Sequence, residues 1–208
     1  SIIKRLPIRF NMDDNYFKDR YQGVPVNGYT QMIRNMQEGI DVKLGVDYLK
    51  NRDYFDGLAR KVVYTGAIDA FFNYSEGELA YRSLNFEWEI LPVSDFQGNA
   101  LVNYTDVNVP WNRICEHKHF NWTKSDITVI SKDFPVEWRK GRERYYPLAD
   151  AQNESIYKRY KERSKPLVQT HIFGGRLAEY KYYDMHQVIG SALKKFREDS
   201  GLSEEKPQ

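Results

Sequence analysis

Apolar side chains first recur with a helical period at Tyr29, Met32, Ile33 and Met36, and Gly39 follows where such a helix would stop, so a short helix is predicted over 29–38. Val42, Leu44 and Val46 then alternate with polar neighbours, which predicts a half-buried strand. Residues 61–64 form an apolar run ending at Thr65 and Gly66, the pattern of a strand entering a tight turn. This first stretch reads β/α. From Tyr81 to Val136 the period becomes two. Arg82, Leu84, Phe86 and Trp88 share one face of a predicted strand, Leu101 and Asn103 a second, Arg113, Cys115, His117 and His119 a third, and residues 127–130 form a fourth. Pro, Gly, Asn and Asp separate these runs at hairpin-like intervals, which predicts an antiparallel sheet of about four to six strands. After Pro147 helical spacing returns, weakly over 153–163 and strongly from Met185 through Val188, Ile189, Ala192, Leu193 and Phe196, with Asp184 placed as the N-cap. Between these helices residues 168–173 read as a strand running into Gly174 and Gly175. The fold class is therefore α+β, a β/α frame interrupted by an antiparallel sheet. Such an order suggests two domains with the chain crossing between them twice, and clefts form at such junctions.

Composition narrows the function classes. The chain has 208 residues, 31 basic and 29 acidic, for a net charge of +2, with the two signs interspersed. That balance lacks the basic stripe of a general nucleic-acid binder. Mean hydropathy is −0.72, and no apolar run approaches the ~18 to 20 residues that span a bilayer, so no membrane partner is expected. A single cysteine forms no internal disulfide, and the expected location is cytoplasmic. The unusual figure is 15% aromatic, dominated by 16 tyrosines. A ring with a hydrogen-bonding tip suits a sugar or nucleotide cleft as well as a wet core. Ser1 opens a segment that reads like the inside of a longer protein, whereas residues 201–208 read as a polar tail.

The candidate chemistry is anion binding. Residues 173–185 place two glycines, Arg176, the tyrosines Tyr182 and Tyr183, and the predicted helix start at Asp184 and Met185 close together. Glycines let the backbone approach a ligand, a guanidinium grips phosphate oxygens as a fork, and free amides at a helix start favour negative charge. A strand, a turn and a capped helix with a surface arginine account for the same spacing equally well. Arg5, Arg82 and Arg113 stand in apolar or aromatic surroundings and need an anion, an ion pair or the sheet's edge. Cys115, His117 and His119 alternate as zinc ligands sometimes do, but one strand offers at most two ligands and no second cluster completes a tetrahedron, so no metal is expected. Asp13, Asp14, Glu76 and Glu78 read as solvated turn residues, and no serine or cysteine nucleophile motif is present.

Several segments in order resemble the UDP-galactopyranose mutase family: IKRLPIRF (3–10), DNYFKDRYQGVPVNGYT (14–30), VVYTGAID (62–69), LAYRSLNFE (79–87), QGNALVNYTD (97–106), RICEHKHF (113–120), YYPL (145–148) and FGGRLAEYKYYDMHQVI (173–189). The resemblance implies a flavoenzyme that interconverts UDP-galactopyranose and UDP-galactofuranose, with N5 of reduced FAD as the nucleophile at the anomeric carbon. Family members open with a Rossmann strand, a G-x-G-x-x-G turn and a helix. None of that is in this sequence, so the chain resembles the C-terminal portion, and the absent N-terminal half is an expected partner. Residues 1–19 then correspond to a mobile loop and the entry to the substrate sheet. Residues 20–74 and 151–200 correspond to parts of the FAD-binding domain, and residues 75–150 to the antiparallel substrate domain.

By matching motif, Arg5 and Arg113 are the catalytic arginines at the diphosphate, and Tyr16, Tyr146 and Tyr182 hydrogen-bond the phosphates, with Tyr145 a close alternative to Tyr146. Arg82 and Asn103 fall near sugar and flavin. Thr65, Gly66, Arg82, Arg176, Asp184 and Met185 fall near FAD. Asn27-Gly28 replaces the usual Gly-Gly, Trp111-Asn112 precedes Arg113 where other pairs are usual, and Cys115 replaces an aliphatic residue. The resemblance implies that the fragment alone is inactive and leaves a homodimer open. Two other readings compete: a non-catalytic nucleotide-sugar-binding module, and a related flavin oxidoreductase. A G-x-G-x-x-G upstream of Ser1 supports the enzyme, and its absence from the gene supports the module.

Overall fold

A computed structural model describes residues 10–12 and 19–202. Its elements combine helices with an antiparallel sheet, the α+β class that the alternation of periods predicts. The chain enters through α1 (Gly28–Met36) and, after a 3-10 turn, α2 (Arg52–Leu58). β1 (Val62–Tyr64) and the short α3 (Ile68–Phe71) precede the sheet strands β2 (Tyr81–Leu91), β3 (Leu101–Asn103) and β4 (Arg113–Glu116). A helical turn, α4 (Lys118–Asn121), leads to β5 (Thr128–Glu137) and β6 (Tyr146–Pro147). The chain then returns through α5 (Ala151–Ser164), β7 (His171–Phe173), α6 (Gly175–Ala178) and α7 (Met185–Ser200).

The five-stranded antiparallel sheet runs β3-β4-β5-β2-β6, with β2 and β5 paired along ten residues from Arg82↔Glu137 to Leu91↔Thr128. Directly opposed residues share a face. Asn103, Arg113, Asp133 and Phe86 therefore line up across four strands on one side. Separately, β1 and β7 pair in parallel, Val62 against His171 and Tyr64 against Phe173. The residues between these two neighbours include the whole antiparallel sheet.

The helices start where their caps allow. Asp150 accepts the Asn153 amide at 2.8 Å to begin α5. Asp184 and Gln187 form a capping box at the start of α7, which stops at Gly201 in a left-handed conformation with φ +68°. The main buried cluster joins Ile68, Leu79, Tyr81, Ile156, Tyr160 and Tyr180, so the core sits where α3 and α5 meet the root of the sheet. Tyr180 ties the sheet's entry to its exit. Its hydroxyl lies 2.5 Å from the Ala80 carbonyl and 3.0 Å from that of Leu148, and it accepts the Leu148 amide at 3.1 Å.

Three local expectations change. Residues 42–46 form no strand: Gly45 adopts φ +70° and no strand among the described residues pairs with the segment, and alternation without a partner leaves backbone groups to water. The strand carrying Arg113 and Cys115 ends at Glu116, so His117 and His119 leave its face for the turn around α4. The strand expected over 168–173 begins only at His171, because Lys165–Leu167 form a 3-10 turn with Val168 as its cap. No helix among the described residues is long and apolar enough to cross a membrane.

Glu116 anchors the far end of the sheet. Fully buried, its carboxylate accepts the Thr128 hydroxyl at 2.7 Å and the amides of Gln97 at 2.9 Å and Phe96 at 3.1 Å. Burial works to raise its pKa, but these donors and the nearby His119 outweigh burial and hold it below the ordinary 4.5. A depressed carboxylate pKa contributes stability above its unfolded value, and that contribution disappears as pH falls through the folded value. Glu116→Gln turns an NH₂ toward amide donors, and the expected loss near neutrality is about 2–3 kcal/mol. Urea unfolding of both proteins checks this: the gap between them should be full at pH 7 and narrow progressively below 4.5. A gap independent of pH counts against the ionised carboxylate as its source.

Candidate functional site

One side of the antiparallel sheet carries a hollow of about 260 Å³ lined by Leu84, Asn103, Asn112, Arg113, Asp133 and Tyr146. The register explains how residues so far apart in sequence meet there. Asn103 is opposite Arg113 and Arg113 opposite Asp133, while β6 brings Tyr146 against Arg82 on the other side of β2. Arg113 Nε donates to Asp133 Oδ2 at 2.7 Å, and one of its terminal nitrogens donates to the same oxygen. Burial works against the guanidinium charge, yet the hydrogen bonds and the charge of Asp133 outweigh it and raise the Arg113 pKa above its ordinary value. The group is a fixed cation.

Tyr146 belongs to a second cluster as well. Its ring stacks on Tyr182 at 5.8 Å with a 23° tilt, and the Arg176 guanidinium carbon lies 4.7 Å from the Tyr182 ring centre and 5.8 Å from that of Tyr146. Arg176 also donates to the Tyr145 carbonyl at 2.9 Å, and the Tyr145 amide donates to the Arg82 carbonyl at 3.0 Å. Arg176 Nε is buried without a hydrogen-bond partner among the described residues. Burial, followed by the charge and hydrogen-bonding of Asp184, raises the Tyr182 pKa, so its phenol stays protonated near neutrality and remains an O–H donor. This cluster adjoins the capping box at Asp184 that opens α7 with Met185.

Thr65 and Gly66 follow the carboxyl end of β1, where open α/β sheets place their ligands. A Cβ added at Gly175, which has φ +81°, would lie 3.7 Å from Thr65 Cβ, so the turns after the two parallel strands touch. At Gly66 a Cβ would meet the Tyr64 hydroxyl at 2.5 Å, which explains why glycine stands there.

The structure thus gathers Asn103, Arg113 and Tyr146 in one hollow, links Tyr146 to Arg176 and Tyr182, and sets Arg82 beside Tyr146 in the sheet register. Thr65 and Gly66 do not line that hollow but follow β1 in the other sheet. Arg5 and Tyr16 lie outside the described residues. The hollow also takes in Asn112, noted in the sequence only as a departure from the family pattern, and Asp133, for which the sequence offers no signal. An aspartate in Lys-Asp-Phe-Pro reads as solvated, and only the strand register sets it opposite Arg113.

The histidines of the 113–119 stretch separate. His117 stacks on Trp88 at 4.8 Å and pairs with the Ser131 hydroxyl at 3.0 Å. Nε2 of His119 lies 3.3 Å from Glu116 and 3.6 Å from Asp95. Asp95, Glu116 and His119 could share an ion, but the Glu116 oxygens are already engaged by Thr128 and two backbone amides. A further hollow of about 430 Å³ runs beside β7 between α5 and α7, lined in part by Tyr157, Lys161, His171, Glu179 and Lys195.

Residues 1–182 match the protein family described as UDP-galactopyranose mutase. A dTDP-fucopyranose mutase of Escherichia coli is 37% identical over 200 residues, covering 93% of this chain and 52% of that protein. A probable UDP-galactopyranose mutase of Klebsiella pneumoniae is 38% identical over 199 residues, covering 93% and 50%. The UDP-galactopyranose mutase of Mycoplasma pneumoniae is 32% identical over 211 residues, covering 94% and 52%. The chain spans about half the length of the curated relatives it matches.

Proposed function

Because the chain belongs to the UDP-galactopyranose mutase family, we propose that it is the C-terminal portion of a FAD-dependent isomerase that interconverts UDP-galactopyranose and UDP-galactofuranose, and that it holds the diphosphate of the nucleotide sugar. The observation that carries this reading is the meeting of Arg113, Asn103 and Tyr146 in one hollow, with Tyr146 shared by the Arg176–Tyr182 cluster at the start of α7.

In this reading residues 20–74 and 151–200 are parts of the FAD-binding domain, residues 75–150 are the substrate sheet, and residues 1–19 are a loop whose Arg5 and Tyr16 reach the diphosphate. Two features support the division. A parallel sheet is normally covered on both faces, and among the described residues β1 and β7 pair as two strands only. The apolar stripe of α7, at Met185, Ile189, Leu193 and Phe196, is exposed as though it faces a segment beyond this chain. The residues also suit a flavin dinucleotide. Arg176 Nε is buried and, among the described residues, has no hydrogen-bond partner, and the first amides of α7 favour an anion. A cytoplasmic location goes with the single cysteine.

When bound, the reduced flavin supplies the nucleophile for the anomeric carbon. This chain's part is electrostatic. As the bond from the anomeric carbon to the diphosphate breaks, its electron pair stays with the phosphate oxygen. Arg113 meets that charge as a cation already in place, which avoids reorganisation during the step. Tyr146 and Tyr182 offer phenolic donors, and Asn103 offers an amide at the edge of the hollow. Holding the diphosphate on one face lets it return to the same carbon after the ring changes size.

The nucleotide sugar itself has a second reading, because the E. coli relative named for dTDP-fucopyranose is as similar as the Klebsiella one named for UDP-galactopyranose. The deciding experiment incubates the full-length protein, reduced with dithionite, with each sugar nucleotide separately and follows furanose formation by chromatography. Faster turnover of UDP-galactopyranose is expected, while the 208-residue chain alone is colourless and inactive. A preference for dTDP-fucopyranose reassigns the substrate. Turnover by the isolated chain overturns its role as a partial site.

A further inference from the structure

We propose that Asp133 is the positioning residue of the diphosphate site, fixing the Arg113 guanidinium so that its remaining N–H edge faces the hollow. This inference rests on the function proposed above and deepens it.

Asp133 is only 3% exposed, whereas the Arg113 side chain keeps 34% of its surface. The buried carboxylate thus holds one edge of the guanidinium while the other remains open. Both donors it engages, Nε and one terminal nitrogen, come from the same side of the planar group. The contact follows from the sheet, because Asp133 is directly opposite Arg113 and its carbonyl accepts the Asn112 amide at 2.8 Å. A carboxylate beside a phosphate pocket repels the ligand, so charge alone does not explain its place there. Orientation does: an unpaired arginine on a flexible stem would sample many rotamers, and a guanidinium held by one edge presents the other in a single direction. Arg113, Asn103 and Tyr146 line the same hollow, so an edge of Arg113 left free by Asp133 is available to a ligand held there.

The test compares Arg113→Ala, Asp133→Asn, Asp133→Glu and the Arg113→Ala/Asp133→Asn double variant in the full-length reduced holoenzyme. Steady-state kinetics are measured, together with UDP affinity by calorimetry. Asp133→Asn keeps the shape and weakens the hold, so kcat/KM is expected to fall ~10- to 100-fold, in line with a displacement of about 1 Å at a reacting centre. UDP binding weakens in parallel. Asp133→Glu restores the charge and is expected to recover part of the rate. In the Arg113→Ala background, Asp133→Asn is expected to have no further effect, because nothing is left to orient.

The proposal is overturned if Asp133→Asn keeps normal kcat/KM while Arg113→Ala is impaired, or if it slows the Arg113→Ala enzyme as much as the parent. It is also overturned if Asp133→Asn tightens UDP binding, which would make the aspartate a competitor for Arg113. Should the asparagine variant fail to fold, Asp133→Glu decides, and a wild-type rate with the guanidinium shifted by one methylene counts against positioning. An unimpaired Arg113→Ala enzyme strikes instead at the assignment of the diphosphate site.

Discussion

Arg113→Ala in the intact, reduced enzyme is expected to lower kcat/KM by about 10²- to 10³-fold, or roughly 3 kcal/mol of transition-state stabilisation. The size follows from three observations. The guanidinium lines the candidate hollow, it is held from one side by Asp133, and its pKa stays raised despite burial, so its charge persists across any practical pH. Charge grows on the diphosphate only as the bond to the sugar breaks, so the loss falls on kcat as well as on KM. Arg113→Lys is expected to recover little, because an ammonium cannot take the two same-side contacts to Asp133 and still offer a planar edge. Steady-state kinetics with UDP-galactopyranose measure this. Near-normal turnover by the alanine variant removes Arg113 from the site.

For stability, the largest expected single effect is Tyr160→Ala, about 4–5 kcal/mol, a large part of the 5–15 kcal/mol that holds a typical domain. Tyr160 is fully buried in α5, stacks on Phe72 at 5.8 Å, and packs with Ile68, Leu79 and Tyr81. Its hydroxyl donates to the Gly77 carbonyl at 2.7 Å and accepts the Glu76 amide at 3.0 Å, which fixes the turn that leads into β2. Tyr160→Phe separates the two contributions. It keeps the ring and strands two backbone groups, so a loss of about 1–3 kcal/mol is expected. Urea unfolding of the three proteins measures both, and an alanine variant within 1 kcal/mol of the parent shows that the site collapses around the deletion, which would refute the estimate.

Legibility followed the local signals. α7 could be read from its apolar stripe because Asp184, Gln187 and Gly201 mark its ends with their own chemistry. β2 and β5 kept period two along ten paired residues, long enough for the pattern to dominate. The alternation at 42–46 misled because a strand exists only through a partner, and none among the described residues pairs with that segment. His119 misled because period two was carried past Glu116 into a helical turn. At the site, residue types could be read through the resemblance, but their convergence depends on register. Asn103, Arg113 and Tyr146 meet only because β3, β4 and β6 take their places in one sheet. Asp133 looked like any polar strand residue, and its role emerged only from the residue opposite.

The parallel pair also bears on the order of folding. Val62 and His171 are bonded neighbours separated by most of the chain, and bringing distant ends together carries an entropy cost that grows with the length of the closed loop. Within residues 81–147 only β3, β4 and β5 join as consecutive hairpins, and β2 reaches β5 and β6 across the intervening chain, so the sheet closes its own loops first and the Tyr180 hydroxyl, joining Ala80 to Leu148, then ties its two ends together. During synthesis this sheet emerges from the ribosome before β7 exists, so β1 waits for its mate until the insertion is complete.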